Sequence, residues 1–582
     1  MRWRDAAVRK SASRQILAAL AFCLFTQIFE NPARAQQGAR PTVVDPRQTE
    51  RNFETQQREQ RLLAKPPPRL PRLANPAPSA STRPLVVLRT VSIAGAIAIA
   101  PAAFDDLYRP LIGKKISELD LVTLANAITE RYRDEGYHLT RAIIPPQEIK
   151  KGRLRVQVIE GRITELTVKG DEDNVFGARR MLSPVLDEAP SRLATLERQL
   201  LIVNDIPGLR VEDTALEEIG LGTGQFRLLV KLGSWRMYTS LALDNWGTKA
   251  VGPLQAYTTT AFNSYLAPGD TFAVNLSTVP DDTRELRFGR LFYDVPIGPD
   301  GLRIGGSAAR SEVWPGDVRR DFGDHTVTQT YELRGSITPL QTRTAALTLS
   351  LSAAAVDSLE KTDFGYFYED HVRLINVSAD AKVQDPLQGW NFFSLTVRQG
   401  LDVLGATKTG DPMASRDDAS PHRTVLAYAY ARYQPLIEYW SLKSSISGQF
   451  ASGPLLNSQA YYIGGSAFGP GYYRGDNGFS GSVELRFDQN TNDAWVKGYQ
   501  LYGFVDGGRV WDVGGGGGDK LSVASAGAGI RLRFEEDLLA NFAVAAPVYY
   551  SSKSDDLQRV RFLFSVSKAF KWCPGPSGLT CG

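Results

Sequence analysis

Histidine and cysteine are scarce in this chain, four and three in 582 residues, and the scarcity bounds the chemistry it can do. His138, His325, His371 and His422 fall in separate segments, and no two have the spacing of a metal-ligand or acid-base pair. His371, beside Glu369 and Asp370, is the one cluster of note and reads as a loop-edge or lumen residue rather than a metal site. There is no serine nucleophile elbow, phosphate loop or dinucleotide fingerprint. GLGTG at Gly220–Gly224 is not followed by a helix and reads as a hairpin turn, and Gly514–Gly518 is a flexible loop tip. An enzyme is therefore not expected, and neither is a cofactor. Charge imbalance is also missing, with 67 Lys and Arg against 63 Asp and Glu, which argues against nucleic acid as a partner. Long apolar runs are missing too, and a bundle of membrane helices is excluded. A membrane barrel is not, because its strands alternate lipid-facing and lumen-facing residues and look soluble on average.

The first residues carry an export signal. Arg2, Arg4, Arg9, Lys10 and Arg14 precede the apolar run Ile16–Phe29, and Ala33-Arg34-Ala35 gives a small-x-small cleavage site. The run falls short of the roughly 20 residues that span a bilayer. Residues 1–35 are read as a signal peptide, with Gln36 as the new N-terminus. Cys23 is lost with it. Cys573 and Cys581, in the tail 571–582, read as one local disulfide in an oxidising compartment, zinc being the weaker reading without a nearby histidine.

Residues 36–65 contain a polar stretch, Pro46–Lys65, made largely of Gln, Glu and Arg. These are good helix formers with almost no apolar face, so an ordinary core cannot hold such a helix. A helix of about 20 residues is about 30 Å long and would fit a water-lined pore. Composition alone leaves that reading level with a disordered polar arm. Residues 66–84 are a proline-rich, semi-rigid spacer.

From Leu85 the order strand (Leu85–Gly95), helix (Pro101–Leu111), helix (Ser117–Asp134), strand, strand runs to residue 161 and repeats over 162–233, with helices expected at Asn174–Leu186 and Ser191–Asn204 and later strands at Leu209–Glu212 and Gln225–Leu232. In the first copy Ser117 and Asp120 form a capping pair, Leu121, Leu124, Ile128 and Tyr132 recur at helical spacing, and Gly136 stands past the end. Two small α+β modules follow, each with a strand edge to which an extended peptide could add; a passive spacer is the plainer reading.

Residues 234–570 read as all-β. Tyr331, Leu333, Gly335 and Ile337 alternate with Thr330, Glu332, Arg334 and Ser336. Short turns such as PIGPDG and QDPLQG interleave with long polar loops such as Val403–His422, as in a transmembrane barrel. The count is sixteen antiparallel strands. Aromatic clusters near strand ends (Phe292 and Tyr293; Trp390, Phe392 and Phe393; Tyr439 and Trp440; Tyr549 and Tyr550) fit interface girdles against outer-membrane lipid.

One glycine-dense stretch stands apart, Gly464–Phe487, which lifts Gly469, Pro470, Gly471, Tyr472, Tyr473, Arg474 and Gly475 on a framework without bulk. Downstream, Tyr502–Arg509 ends in Asp506, Gly507, Gly508 and Arg509. These two motifs, with LLIVNDIPGLRV at Leu200–Val211, resemble the outer-membrane transporters of two-partner secretion, within the larger group of POTRA-plus-barrel proteins. The resemblance covers nearly all of the mature chain. It implies a sixteen-stranded outer-membrane barrel, two periplasmic POTRA-like domains and an N-terminal plug helix. It also implies a function: recognition and export of an unfolded exoprotein with an N-terminal secretion domain, of the filamentous haemagglutinin or haemolysin kind. A barrel-assembly factor and a passive solute channel are the alternatives. In the family a loop arginine meets a barrel aspartate. Asp506 matches the aspartate, Pro470 stands where the arginine is expected, and Arg474 is the nearest substitute, with Arg509 or Arg486 as other partners for Asp506.

Overall fold

The computed structural model describes residues 81–572 apart from 221, 515–519 and 552–559, and before them only 47, 49, 50, 68, 70 and 71. The signal peptide, most of the polar stretch and spacer, and the Cys573–Cys581 tail lie outside the described residues.

The first module contains β1 (Pro84–Val87), β2 (Thr90–Ala94), β3 (Lys115–Ser117), helix α1 (Glu118–Asp134), β4 (Arg141–Ile143) and β5 (Arg153–Ile159). β5 lies between β2, parallel to it, and β4, antiparallel, while β1 pairs with β3. The α1 start is a full capping box. Ser117 Oγ accepts from the Asp120 N–H, and the Asp120 carboxylate accepts from the Ser117 N–H at 2.7 Å. Leu121, Leu124, Ile128 and Tyr132 are the buried stripe, and each fully buried apolar side chain contributes on the order of 1.5–3 kcal/mol. The expected single strand from Leu85 is split at Leu88, which turns inward at 0% exposure, and the expected helix Pro101–Leu111 is a series of short turns around buried Phe104.

The second module repeats the plan with β6 (Arg162–Lys169), α2 (Leu193–Asp205), β7 (Leu209–Glu218) and β8 (Gln225–Ser234), ordered β6-β8-β7. β7 runs past the expected end at Glu212 to Glu218, which stands opposite Phe226 of β8. The expected helix Asn174–Leu186 is two short helical turns, Ala178–Met181 and Pro184–Asp187. Leu139 of the first module is buried in the core of the second, so the pair packs as one body.

The rest is a closed barrel. Its strands are β9 (Met237–Asp244), β10 (Gln255–Asn263), β11 (Thr271–Thr278), β12 (Arg287–Ile297), β13 (Leu302–Val313), β14 (His325–Gln341), β15 (Ala345–Thr362), β16 (Gly365–Gln384), β17 (Trp390–Gly400), β18 (Thr424–Ile437) and β19 (Trp440–Ala451). After an inserted hairpin, β20 (Tyr461–Gly465) and β21 (Gly469–Gly475), it continues with β22 (Asn477–Asn490), β23 (Val496–Trp511), β24 (Leu521–Phe534), β25 (Leu538–Tyr550) and β26 (Arg561–Trp572). Among the described residues sixteen strands close the barrel, all antiparallel, with β26 pairing back onto β9. Leu333, Leu351 and Phe562 are 73%, 58% and 74% exposed on the outer face, whereas Thr330 faces inward, buried. An apolar outer face this continuous is a lipid-facing band. The girdle reading needs one adjustment: Phe393 is outward and half exposed, while its neighbour Phe392 is buried on the lumen face, as alternation requires.

The two rims differ as the loop lengths imply. The short turns face α2: Arg198 donates to the Pro339 and Asp300 carbonyls at 3.3 and 2.8 Å, Gln341 donates to Asp205 at 2.7 Å, and the Arg343 N–H to Glu197 at 2.7 Å. This rim carries the modules and is periplasmic. At the other rim β15 and β16, 18 and 20 residues long, exceed the roughly 9–11 that cross a bilayer and project outward.

Candidate functional site

The glycine-dense stretch is a hairpin folded into the barrel. Tyr462 stands opposite Arg474, Ile463 opposite Tyr473, and Gly465 opposite Gly469. Glycine and proline interrupt the strand-forming tyrosines here, and packing supplies what propensity lacks. Ile463 and Phe468, with Tyr472 and Tyr473 beside them, join a cluster made by Tyr502, Val523, Ala543 and Leu563 of the barrel wall. Phe468 meets Tyr472 at 5.2 Å and Tyr550 of β25 at 6.3 Å, distances at which aromatic pairs attract.

Glycine is required at two places. A Cβ on Gly465 would stand 2.7 Å from the Asp506 carboxylate, and Gly469 has φ +80 with Thr248 and Arg561 within 3.0 Å of any Cβ. The backbone can thus press its apex against the wall.

Asp506 receives that apex. Its carboxylate accepts from the Ser466 N–H at 3.2 Å, from the Ser466 hydroxyl at 2.5 Å and from the Ser525 hydroxyl of β24, the residue opposite it in register. Bonds of this kind offset the cost of a lumen carboxylate. The Arg474–Asp506 pair does not form. Arg474 lies toward the stem, in the third pair of the ladder counted from the apex, and donates to Asn457 Oδ1. Arg509 is three residues from Asp506 and so lies on the opposite strand face, and Arg486 is bound to Glu484. Two serines stand where the family resemblance implies an arginine. Hydroxyls carry no sequence signature, so Ser466 and Ser525 were not legible.

The lumen around the hairpin is charged and paired. Glu484 is held by both Arg486 and Arg531, the latter at 2.6 and 2.8 Å, and Arg531 lies 3.8 Å over the Tyr502 ring. At the short-turn rim Asp385 binds Arg432 at 2.5 Å, and Arg303 pairs with Asp294. His371 is not a lumen residue: it lies on the outer face of β16, next to lumen-facing Asp370 and Val372, and at the edge of the β17–β18 connection it is bound to Asp357 at 2.7 Å and Glu369 at 3.2 Å. Among the described residues no group of three or more His, Cys, Asp or Glu could hold a metal ion.

The few described residues of the N-terminal stretch lie inside the barrel. Thr49 and Glu50 are helical and buried, and Glu50 accepts from Arg47 at 2.8 Å and from Thr330 of β14 at 3.1 Å. Arg290 of β12 also attracts the Glu50 carboxylate. Arg47 borders a small lumen cavity with Val372, Leu374 and Gln459. At the other end of the spacer Pro68 is buried, and Leu70 packs on the core of the second module. In the first module His138 is walled in with neither ring nitrogen partnered, and burial pushes its pKa down to about 4.

A sixteen-stranded barrel with an apolar outer face, two α+β modules on its short-turn rim and a hairpin folded into its lumen defines an outer-membrane transporter of the POTRA-plus-barrel class. Residues 228–532 match the family of the haemolysin secretion/activation protein ShlB/FhaC/HecB, and residues 86–161 match the ShlB-type POTRA domain. The chain belongs to that family and is a two-partner secretion transporter of the outer membrane, with its N-terminal modules in the periplasm. It is similar to the heme/hemopexin transporter protein HuxB of Haemophilus influenzae strain 86-028NP, 24% identical over 501 residues, which are 80% of this chain and 83% of that protein. It is also similar to the outer membrane transporter CdiB of Escherichia coli, 25% identical over 257 residues, 44% of this chain and 42% of that one. The solved structure of CdiB from Escherichia coli superposes with a TM-score of 0.70 at 18% identity, covering 92% of this chain and 100% of that one. CdiB from Acinetobacter baumannii does so at 0.62 and 16%, with the same coverage. At these identities the two structures bear on the fold.

Proposed function

We propose that the exported partner is a large exoprotein with an N-terminal secretion domain, of the filamentous haemagglutinin or haemolysin kind, caught unfolded by the two modules. It passes through the lumen when the polar segment 46–65 moves aside. The observation that carries this reading is the placement of the N-terminal stretch. Glu50 is bound to the inner wall at Thr330, and twenty residues later Leu70 rests on the second module. A plug fixed at both ends connects the place of capture to the place of passage. The module edges suit an extended chain, since backbone hydrogen bonds demand little of its sequence. No residue is assigned a catalytic step, and the exoprotein's folding outside supplies the direction.

The test is binding and export by the full-length protein and by a variant lacking Leu85–Gly161. The variant should insert its barrel yet neither bind nor export the exoprotein. Full binding by the second module alone would relocate the site, and a general loss of other outer-membrane barrels would favour the assembly-factor reading.

A further inference from the structure

The outer mouth of the barrel is crossed by chain. From the β17–β18 connection, Ala414 and Ala419 turn inward and pack with Leu456 of the β19–β20 connection against the lumen-facing Val356, Val372 and Leu374. The two connections are stitched together: the Asn457 N–H donates to Ser415 Oγ at 3.0 Å, the Ser420 N–H to the Pro454 carbonyl at 3.3 Å, and the Ser415 N–H to Asp370 of β16 at 2.9 Å.

One ion pair organises the crossing. Asp476 joins the hairpin strand β21 to β22, so it is the base of the lumen hairpin, and its side chain is 0% exposed. Arg416, 11% exposed, reaches it from the β17–β18 connection at 2.5 Å and also donates to the Leu455 carbonyl at 3.2 Å. The Asp476 carboxylate takes two further bonds, from the Leu455 N–H at 2.8 Å and the Val513 N–H at 2.9 Å. The β23–β24 connection is thereby drawn in as a third strap. The Asp476 N–H returns a bond to Asp512 at 3.3 Å. Three separate loops meet at one buried carboxylate, and among the described residues only Arg416 neutralises it directly.

We propose that Arg416 and Asp476 are a lock on the outer mouth, a positioning pair that holds the β17–β18 connection across the lumen and ties it to the base of the hairpin. Export then requires two releases. Each narrows the lumen at its own level, the N-terminal stretch where Glu50 meets Thr330 and the lock at the outer mouth, so the loss of either alone raises conductance. Removing Arg416 leaves a carboxylate buried among three straps without its counter-charge, and the straps move apart to hydrate it. The lock rests on the export reading only for the direction of opening, because closure of the mouth is a property of the channel alone.

The experiment compares full-length wild type with Arg416→Ala, Arg416→Lys and Asp476→Asn in planar bilayers, and adds trypsin to intact cells to cut at Lys408 and Arg423 of the β17–β18 connection. Heat-modifiable migration reports that each barrel is formed. Arg416→Ala should raise mean conductance severalfold and trypsin cleavage roughly tenfold, and Arg416→Lys, which keeps the cation, should stay near wild type. Asp476→Asn, isosteric and still an acceptor, should open the mouth in the same direction and serves if Arg416→Ala does not insert. Wild-type conductance and trypsin resistance in every inserted variant would overturn the lock and leave the export reading standing. Equal opening by Arg416→Lys and Arg416→Ala would overturn the role of the charge.

Discussion

Asp506 of β23 holds Ser466, at the tip of the lumen hairpin, through both its backbone N–H and its hydroxyl. The pair fixes how deep the hairpin sits, because Asp506 is anchored from the other side by Ser525. Hydrogen bonds to a charged group contribute about 1.5–3 kcal/mol each.

Asp506→Ala should therefore loosen the hairpin and reduce export about tenfold or more with the barrel still inserted, and Ser466→Ala should do so less. Arg474→Ala acts at Asn457, at the stem, and shares no partner with Asp506. The losses of Arg474→Ala and Asp506→Ala should add within about 0.5 kcal/mol. A double variant no worse than either single one, scored by exoprotein in the medium, would mean the two side chains act as a unit.

Deleting residues 36–84 should raise single-channel conductance, since it removes Glu50 and its contacts with Thr330 and Arg290. Thr330→Val takes away one hydrogen bond to the Glu50 carboxylate, worth about 1.5–3 kcal/mol, and should give briefer, rarer openings of the same kind. Unchanged conductance in the deletion would remove the plug from the account.

The first module should lose stability in mild acid. His138 is held neutral in the folded state with a pKa of about 4, against about 6.5 when exposed. The unfolded chain binds the extra proton between those values, so stability is full above about pH 6.5 and falls as pH drops toward about 4. The loss at pH 5 is on the order of 2 kcal/mol for this group. Hydrogen exchange of α1 and β4 in the full-length protein, at pH 7.5 and pH 5 with intrinsic rates corrected, should show it, and His138→Gln should flatten the difference.

Much of the architecture was legible because it rests on periodicity. The alternation of Tyr331, Leu333 and Ile337 with polar residues is a two-sided strand in any context, and Ser117, Asp120 and Gly136 mark a helix start and stop that needs no tertiary help. The lumen hairpin was legible as a loop that matters, not as a hairpin, because Gly464 to Gly475 pairs only when a barrel wall encloses it. The latch was harder still. Ser466 and Ser525 are ordinary residues that meet Asp506 by register, and Arg416 is 60 residues from Asp476, a separation that no local pattern spans. Most of the polar stretch Pro46–Lys65 and both tail cysteines lie outside the described residues, so the structure speaks to Arg47, Thr49 and Glu50 alone.

The central claim is that this barrel exports one dedicated exoprotein. The measurement that tests it most directly is the secreted and outer-membrane protein profile of cells lacking this protein, with and without complementation. The account predicts that a single large exoprotein disappears from the surface and medium, returns on complementation, and fails to return with Asp506→Ala, while other heat-modifiable barrels keep their levels. An unchanged secreted profile, or a general fall in assembled barrels, would contradict it.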